Sequence, residues 1–286
     1  MQRNYYALVA GLPDILPDES KVAFSSVEFR DYLFEEVHPS DYQLIEMLYL
    51  SFDNENLLNQ LFNSEEKWDD RGNFSYEIME QMKDRKSYEM TGGDLLPEYM
   101  IDFLDRFHGD EQIDNYYRAE HILSEGYNDL MSSCSNRYLR DVSSFQRNIS
   151  NIMTALNSRK YDVEFSDTLI GDDEVVSALK KSRMRDFGLS NEVNDIEELI
   201  QIFEIDNITE RELKLDKYQW QYFDEITFFN YFTIEKVLAF LQKMFIVERW
   251  MKLDSEKGKE MFNQLLKDLE ADFQFPEEFT LAYGKR

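Results

Sequence analysis

Residues 136–157, NRYLRDVSSFQRNISNIMTALN, decide the fold class. Tyr138, Val142, Phe145, Ile149, Ile152 and Leu156 follow one another at intervals of 4, 3, 4, 3 and 4. That spacing gathers side chains on one narrow face of an α-helix, a heptad seam, and breaks the alternation a strand would need. Arg140 and Arg147 share the face opposite the seam. They sit in an unusual stretch: residues 134–160 hold five basic residues and one acid, whereas residues 1–133 hold 29 acids and 10 bases. Two readings follow for this arginine pair. They pair with the acidic remainder of the chain, or they form a contact face for an acidic partner.

Outward from this helix the same character continues. Gly and Pro number 10 and 5 in 286 residues, and no proline falls between Pro97 and Pro276. Turn-rich β architectures need far more of both, so the expectation is an all-α protein of nine to ten helices. One helix begins near Ser26. Another opens at Ser40, an N-cap type residue, with Leu44, Ile45, Leu48 and Tyr49 on one side, and a further set after Asp53 carries Leu57, Leu58, Leu61 and Phe62. A polar connection spans 63–74, and a helix through Ile78, Met79 and Met82 runs to a break at Gly92-Gly93. Pro97 suits a first helical turn. Long helices are expected at 110–131 and 136–157, a principal linker at 158–174, then helices at 173–182, 193–205, 217–253 and 255–271. Residues 232–251 are apolar nearly all round, the mark of a central core helix. Tyr5–Ala10 is the single candidate strand. The organisation reads as an N-terminal helical region 1–96, a long-helix region 97–160 and a C-terminal helical region 161–286 in one structural unit.

Composition limits function. The chain has 58 Asp and Glu against 31 Lys and Arg, a formal net charge of −27. Duplex binding depends on phosphate neutralisation by Lys and Arg, so a nucleic-acid partner is not expected. Docking on anionic lipid is disfavoured for the same reason. No run of about 18 apolar residues without a charge is present, and no basic leader with a small-residue cleavage site. The expected setting is cytoplasmic. Cys134 is the single cysteine, which excludes an intramolecular disulfide and fits a reducing compartment.

Chemical motifs are absent from the sequence. Neither a phosphate-cradling Gly-x-x-x-x-Gly-Lys-Ser/Thr loop nor Gly-x-Gly-x-x-Gly occurs, nor a Gly-x-Ser-x-Gly elbow. His38, His108 and His121 form no His-x-x-x-His pair of the kind that converges metal ligands on one helix face. The Asp172-Asp173-Glu174 cluster lacks the alternation of a calcium loop. No catalytic residue, cofactor, metal or small-molecule substrate is therefore expected. An enzyme working through carboxylates or Cys134 is the competing class.

Several stretches resemble known families. Asn56-Leu57-Leu58-Asn59-Gln60-Leu61 aligns with Asn148-Ile149-Ser150-Asn151-Ile152-Met153 as an internal repeat. The run Asn148-Ile149 to Arg159-Lys160 resembles the recurring helix of the adaptor subunit that joins central stalk to rotor ring in V-type ATPases. Residues 234–249 resemble the final apolar helix of that adaptor. The N-terminal Asn4–Asp14, together with Asp70-Arg71-Gly72-Asn73-Phe74-Ser75, is similar to an uncharacterised bacterial family whose genes lie beside V-type ATPase genes. The resemblance implies pseudo-repeated helical units in a concave or funnel-like body. It implies a non-catalytic subunit in ion or proton transport that links the central stalk to the membrane rotor ring, peripheral to the inner face of the membrane. An assembly chaperone or scaffold of the same complex is the alternative. The surplus of acids through residue 206, 43 against 19 bases, places a partner-steering surface in the first two-thirds, with the C-terminal helices supplying core.

Overall fold

The seam at 136–157 becomes a helix of 25 residues that ends on Tyr161. The computed structural model describes residues 3–16, 23–62, 67–91, 95–109, 113–193 and 195–271, without the side chains of residue 91 and residues 254–271. Among the described residues there are twelve helices and no strand. In chain order they are α1 (Tyr6–Ala10), α2 (Ser26–Glu36), α3 (Pro39–Leu61), α4 (Tyr76–Gln81), α5 (Arg85–Thr91) and α6 (Glu98–His108). Then come α7 (Tyr116–Ser133), α8 (Arg137–Tyr161), α9 (Glu174–Lys181), α10 (Ile196–Phe203), α11 (Ile208–Ile226) and α12 (Ile234–Ala271).

Short polar side chains set the helix starts. Ser25 and Glu28 close a reciprocal capping box on α2. Asn115, Asn136, Asp173 and Asn207 each accept the N3 backbone N–H of the helix they open. The expected cap at Ser40 moves two residues back. His38 accepts from the Ser40 N–H and Pro39 takes the first helical position, where its missing N–H costs nothing.

Several expectations are corrected, the count of nine to ten helices among them, since twelve are described. Tyr5–Ala10 is a helical turn rather than a strand. The Tyr5 N–H donates to the Phe232 carbonyl at 2.6 Å and its hydroxyl to Asp41 at 2.5 Å, and Leu8 is buried. The expected helix 217–253 is two helices. Buried Thr227 donates through Oγ1 to the Phe223 carbonyl at 2.6 Å, a back-bond that competes with the helical ladder, and residues 227–233 form a turn. Conversely, residues 255–271 continue α12 without a break. The expected break at Gly92-Gly93 and the expected helix start at Asp110 lie outside the described residues.

Three apolar clusters hold the chain together. The central one joins α1, α2, the first half of α3, the ends of α7 and α11, the start of α8 and α12. A second gathers the last half of α3 with α4 to α7. A third gathers the last half of α8 with α9 to α11. So α3 and α8 each run from the shared core into a core of their own. Helix α12 buries Val237, Leu238, Ala239, Phe240, Leu241, Met244 and Val247. Its narrow polar strip is fully used. Gln242 accepts from Tyr138 at 2.5 Å, Lys243 pairs with Asp224 at 2.6 Å, and Glu248 takes the Ser26 N–H at 2.5 Å and Oγ at 2.7 Å.

Candidate functional site

Among the buried polar residues of helix α3, Asp53, Asn56 and Asn59 are spaced so that all three point to one side. What they hold is the loop bearing Asp70-Arg71-Gly72-Asn73-Phe74-Ser75. Asn56 donates to the Asp69 carbonyl at 2.8 Å and accepts the Asp69 N–H at 2.9 Å, and Asn59 donates to the Lys67 carbonyl at 3.1 Å. Asp53 accepts from Asn73 Nδ2 at 2.7 Å and from the Phe74 N–H at 3.1 Å. Burial pushes the Asp53 carboxyl up to about 6 despite those bonds and the charge of Arg30. Gly72 is required by close approach, because a Cβ there would come within 2.6 Å of Asp53 Oδ1 and 2.8 Å of Asn56 Nδ2.

Arg71 turns this loop toward α12. Its guanidinium lies 3.9 Å over the Phe52 ring, bonds Asp69 at 2.6 and 2.9 Å and reaches Glu248 at 3.4 Å. Burial alone would raise the Asp69 carboxyl, but the bonds and charge of Arg71 outweigh it and hold it below its ordinary value. From α2, Arg30 donates to the carbonyls of Arg71 and Gly72 at 2.7 and 3.1 Å.

Helix α8 repeats the device. Asn151, 2% exposed, donates to the Ile170 carbonyl at 2.9 Å and accepts the Ile170 N–H at 3.0 Å. One turn earlier Arg147 pairs with Asp173, the cap of α9. Gly171 beside it has φ +89°, a left-handed backbone suited to glycine. The sequence repeat aligns Asn56 with Asn148, whereas the bonding pattern equates Asn56 with Asn151, three residues later.

Both arginines singled out in the sequence face the chain's own loops. Arg147 has a side chain 14% exposed against Asp173. Arg140 donates to the carbonyls of Cys134 and Ser135 at 2.6 and 2.9 Å, at the end of α7. Two of the histidines are hydrogen-bonded within the chain, and the third has a buried Nε2 with no partner among the described residues. His38 caps α3, His108 lies 2.8 Å from the Met82 carbonyl, and His121 lies 3.7 Å from Glu125. Among the described residues no group of three or more His, Cys, Asp or Glu is placed to hold a metal ion.

Two further surface features stand out. A cleft of about 730 Å³ opens between α3, α8, α11 and α12, with Phe52, Arg71, Gln146, Asp216, Phe245 and Arg249 among its walls. Inside it the buried Asp216 accepts from Trp250 Nε1 at 2.7 Å and pairs with Arg249. On the outside, the turn between α11 and α12 displays Phe228, Phe229, Tyr231 and Phe232 at 62%, 83%, 61% and 37% exposure. Tyr6 of α1 adds its ring 4.7 Å from Phe232. Contiguous exposed aromatics of this kind mark contact surfaces. The sequence reading passed over this segment because it took residues 217–253 as one helix.

Residues 1–273 match a family described as protein of unknown function (DUF2764). The chain belongs to the DUF2764 family. That agrees with the resemblance of Asn4–Asp14 and Asp70–Ser75 to an uncharacterised family. No curated protein and no solved structure matches this DUF2764 chain. No described helix is long and apolar enough to cross a membrane.

Proposed function

We propose that the chain is a non-catalytic coupling subunit of a V-type rotary ATPase. In this reading it is the adaptor that links the central stalk to the membrane rotor ring, peripheral to the inner face of the membrane. The observation that carries the reading is the repeated helical unit. A long helix leaves the shared core, enters a core of its own and clamps the following loop with a buried asparagine, once at Asn56 and once at Asn151. Beside these units lie an open cleft and an exposed aromatic turn, features suited to contacting two partners. The residue likenesses at 148–160 and 234–249 support the same assignment.

The test is purification of the intact ATPase from native membranes in a mild detergent, with subunit stoichiometry read by mass spectrometry. The expected result is one copy of this chain per complex, and loss of ATP-driven ion pumping when its gene is deleted. A pumping complex isolated without the chain overturns the reading. Co-purification with assembly intermediates alone identifies an assembly chaperone instead.

A further inference from the structure

A second concavity, about 460 Å³, lies between α8, α10 and α11, on the side of α8 that carries Asn148. Its floor is aromatic. The rings of Phe145 and Tyr222 stack at 3.7 Å with planes 8° apart, and Tyr218 stacks on Phe145 at 5.5 Å. Ile149, Val193 and Leu199 complete the apolar base. Around this floor stand five carboxylates, Asp141, Glu192, Asp195, Glu198 and Glu225, and no Lys or Arg lines the groove among the described residues. At its edge Arg137 pairs with Asp141 at 3.2 Å and is itself strongly exposed.

Two consequences follow from this arrangement. The carboxylates face a low-dielectric aromatic base that strengthens their field. The field is felt on the spot: burial first, then the charges of Asp195, Glu198 and Glu225, push the Tyr218 hydroxyl up to about 12. Asp195 opens α10 yet makes no side-chain cap bond to it, so its carboxylate is not spent on the helix. An anion is repelled from such a groove and a neutral apolar group gains nothing from its rim. A flat, weakly hydrated guanidinium satisfies both parts at once, lying on a ring face while pairing with carboxylates.

We propose that the groove between α8, α10 and α11 is a docking site for a basic segment of a protein partner, with an arginine side chain seated on the Phe145–Tyr222–Tyr218 floor among the five carboxylates. The assignment stands on charge complementarity and aromatic geometry, and it holds whichever complex the chain joins.

The probe is a pentapeptide with two arginines, acetyl-GRGRG-amide, titrated into the full chain carrying labelled Ile, Leu and Val methyl groups. The expected result is saturable shifts confined to Ile149, Val193 and Leu199. Affinity is expected to fall roughly tenfold or more for the citrulline peptide, which keeps the shape and loses the charge. Glu198→Gln with Glu225→Gln gives the same loss, and Glu35→Gln with Glu36→Gln on α2 leaves binding unchanged. Tyr222→Leu also weakens binding, and the exposed Glu pair keeps the test decisive if that variant does not fold. Equal binding of the citrulline peptide overturns the proposal. So do shifts spread over the acidic surface without saturation, and so does reproduction of the same methyl shifts by magnesium ion at matched ionic strength.

Discussion

Replacing Asp53 by Asn tests the loop clamp through pH. Asp53 is fully buried, and its donors, the Asn73 N–H, Asn73 Nδ2 at 2.7 Å and the Phe74 N–H at 3.1 Å, do not offset the cost of burying its charge. Its carboxyl accordingly titrates at about 6 in the folded chain, against ~3.9 when unfolded. The folded pKa is raised, so between pH ~4 and ~6 the folded chain keeps a proton that the unfolded chain has released. Stability therefore falls as pH rises through this window. Above it, the ionised group costs about 3 kcal/mol relative to the protonated one. Asn at position 53 removes this penalty. It also sets an amide donor against Asn73 Nδ2, which is already held by the Glu46 carbonyl at 3.0 Å, for a pH-independent cost of about 1–3 kcal/mol. Urea unfolding from pH 4.5 to 7 should show the variant gaining about 2 kcal/mol on the wild type across that interval. Parallel stability curves would refute the reasoning. A carbon-detected titration placing Asp53 in the ordinary carboxylate range would refute it as well.

Three further outcomes are expected. Asn56→Ala and Asn151→Ala each strip the partners from one buried backbone N–H and C=O, at Asp69 and Ile170, and each should cost about 2–4 kcal/mol in urea melts; a loss below about 0.5 kcal/mol at either would break the equivalence of the two clamps. Gly72→Ala drives a methyl against Asp53 and Asn56 and should cost about 1–3 kcal/mol, read as a lowered Tm. Association with isolated stalk subunits should slow by about tenfold or more as salt rises from low to high ionic strength, and an on-rate that does not change would remove the steering role of the acidic surface.

The helical character was plain in the sequence because the 3.6-residue period repeats over long spans, as in Tyr138 to Leu156. Short elements were not legible. Tyr6–Ala10 is an apolar run of five residues, too brief for any period to separate helix from strand, and tertiary bonds to Phe232 and Asp41 decided it. The turn at 227–233 contains no glycine or proline, and its stop signal is a Thr227 side-chain bond that only the folded chain reveals. The sequence alignment sets Asn56 against Asn148, whereas the matching loop bonds are made by Asn56 and Asn151, a three-residue slip that returns to nearly the same helix face. Asp53 did leave a trace: it falls between Leu50 and Leu57 on a buried stripe, where a charge needs a reason. The aromatic groove left none, because Phe145, the 192–199 segment and the 218–225 segment come from three elements far apart in the chain.

Several arginines bind backbone carbonyls rather than carboxylates. Arg30 binds the carbonyls of Arg71 and Gly72, Arg140 those of Cys134 and Ser135, and Arg159 those of Ser182 and Met184 at 2.7 and 2.6 Å. Arg159 also lies 3.5 Å over the Phe187 ring. Arg140 and Arg159 thus serve the carbonyl ends of α7 and α9, where a cation is favoured and the planar five-donor fork bridges several acceptors at once. A guanidinium bound to carbonyls fastens a loop without neutralising a carboxylate. Some of the scarce cations therefore close helix ends without neutralising an acid, while others, Arg71, Arg147 and Arg249 among them, pair with Asp69, Asp173 and Asp216. The groove between α8, α10 and α11 is where this division has its sharpest local effect. Five carboxylates there share an aromatic base with no cation among the described lining residues, and a partner's arginine supplies the charge that the chain has placed elsewhere.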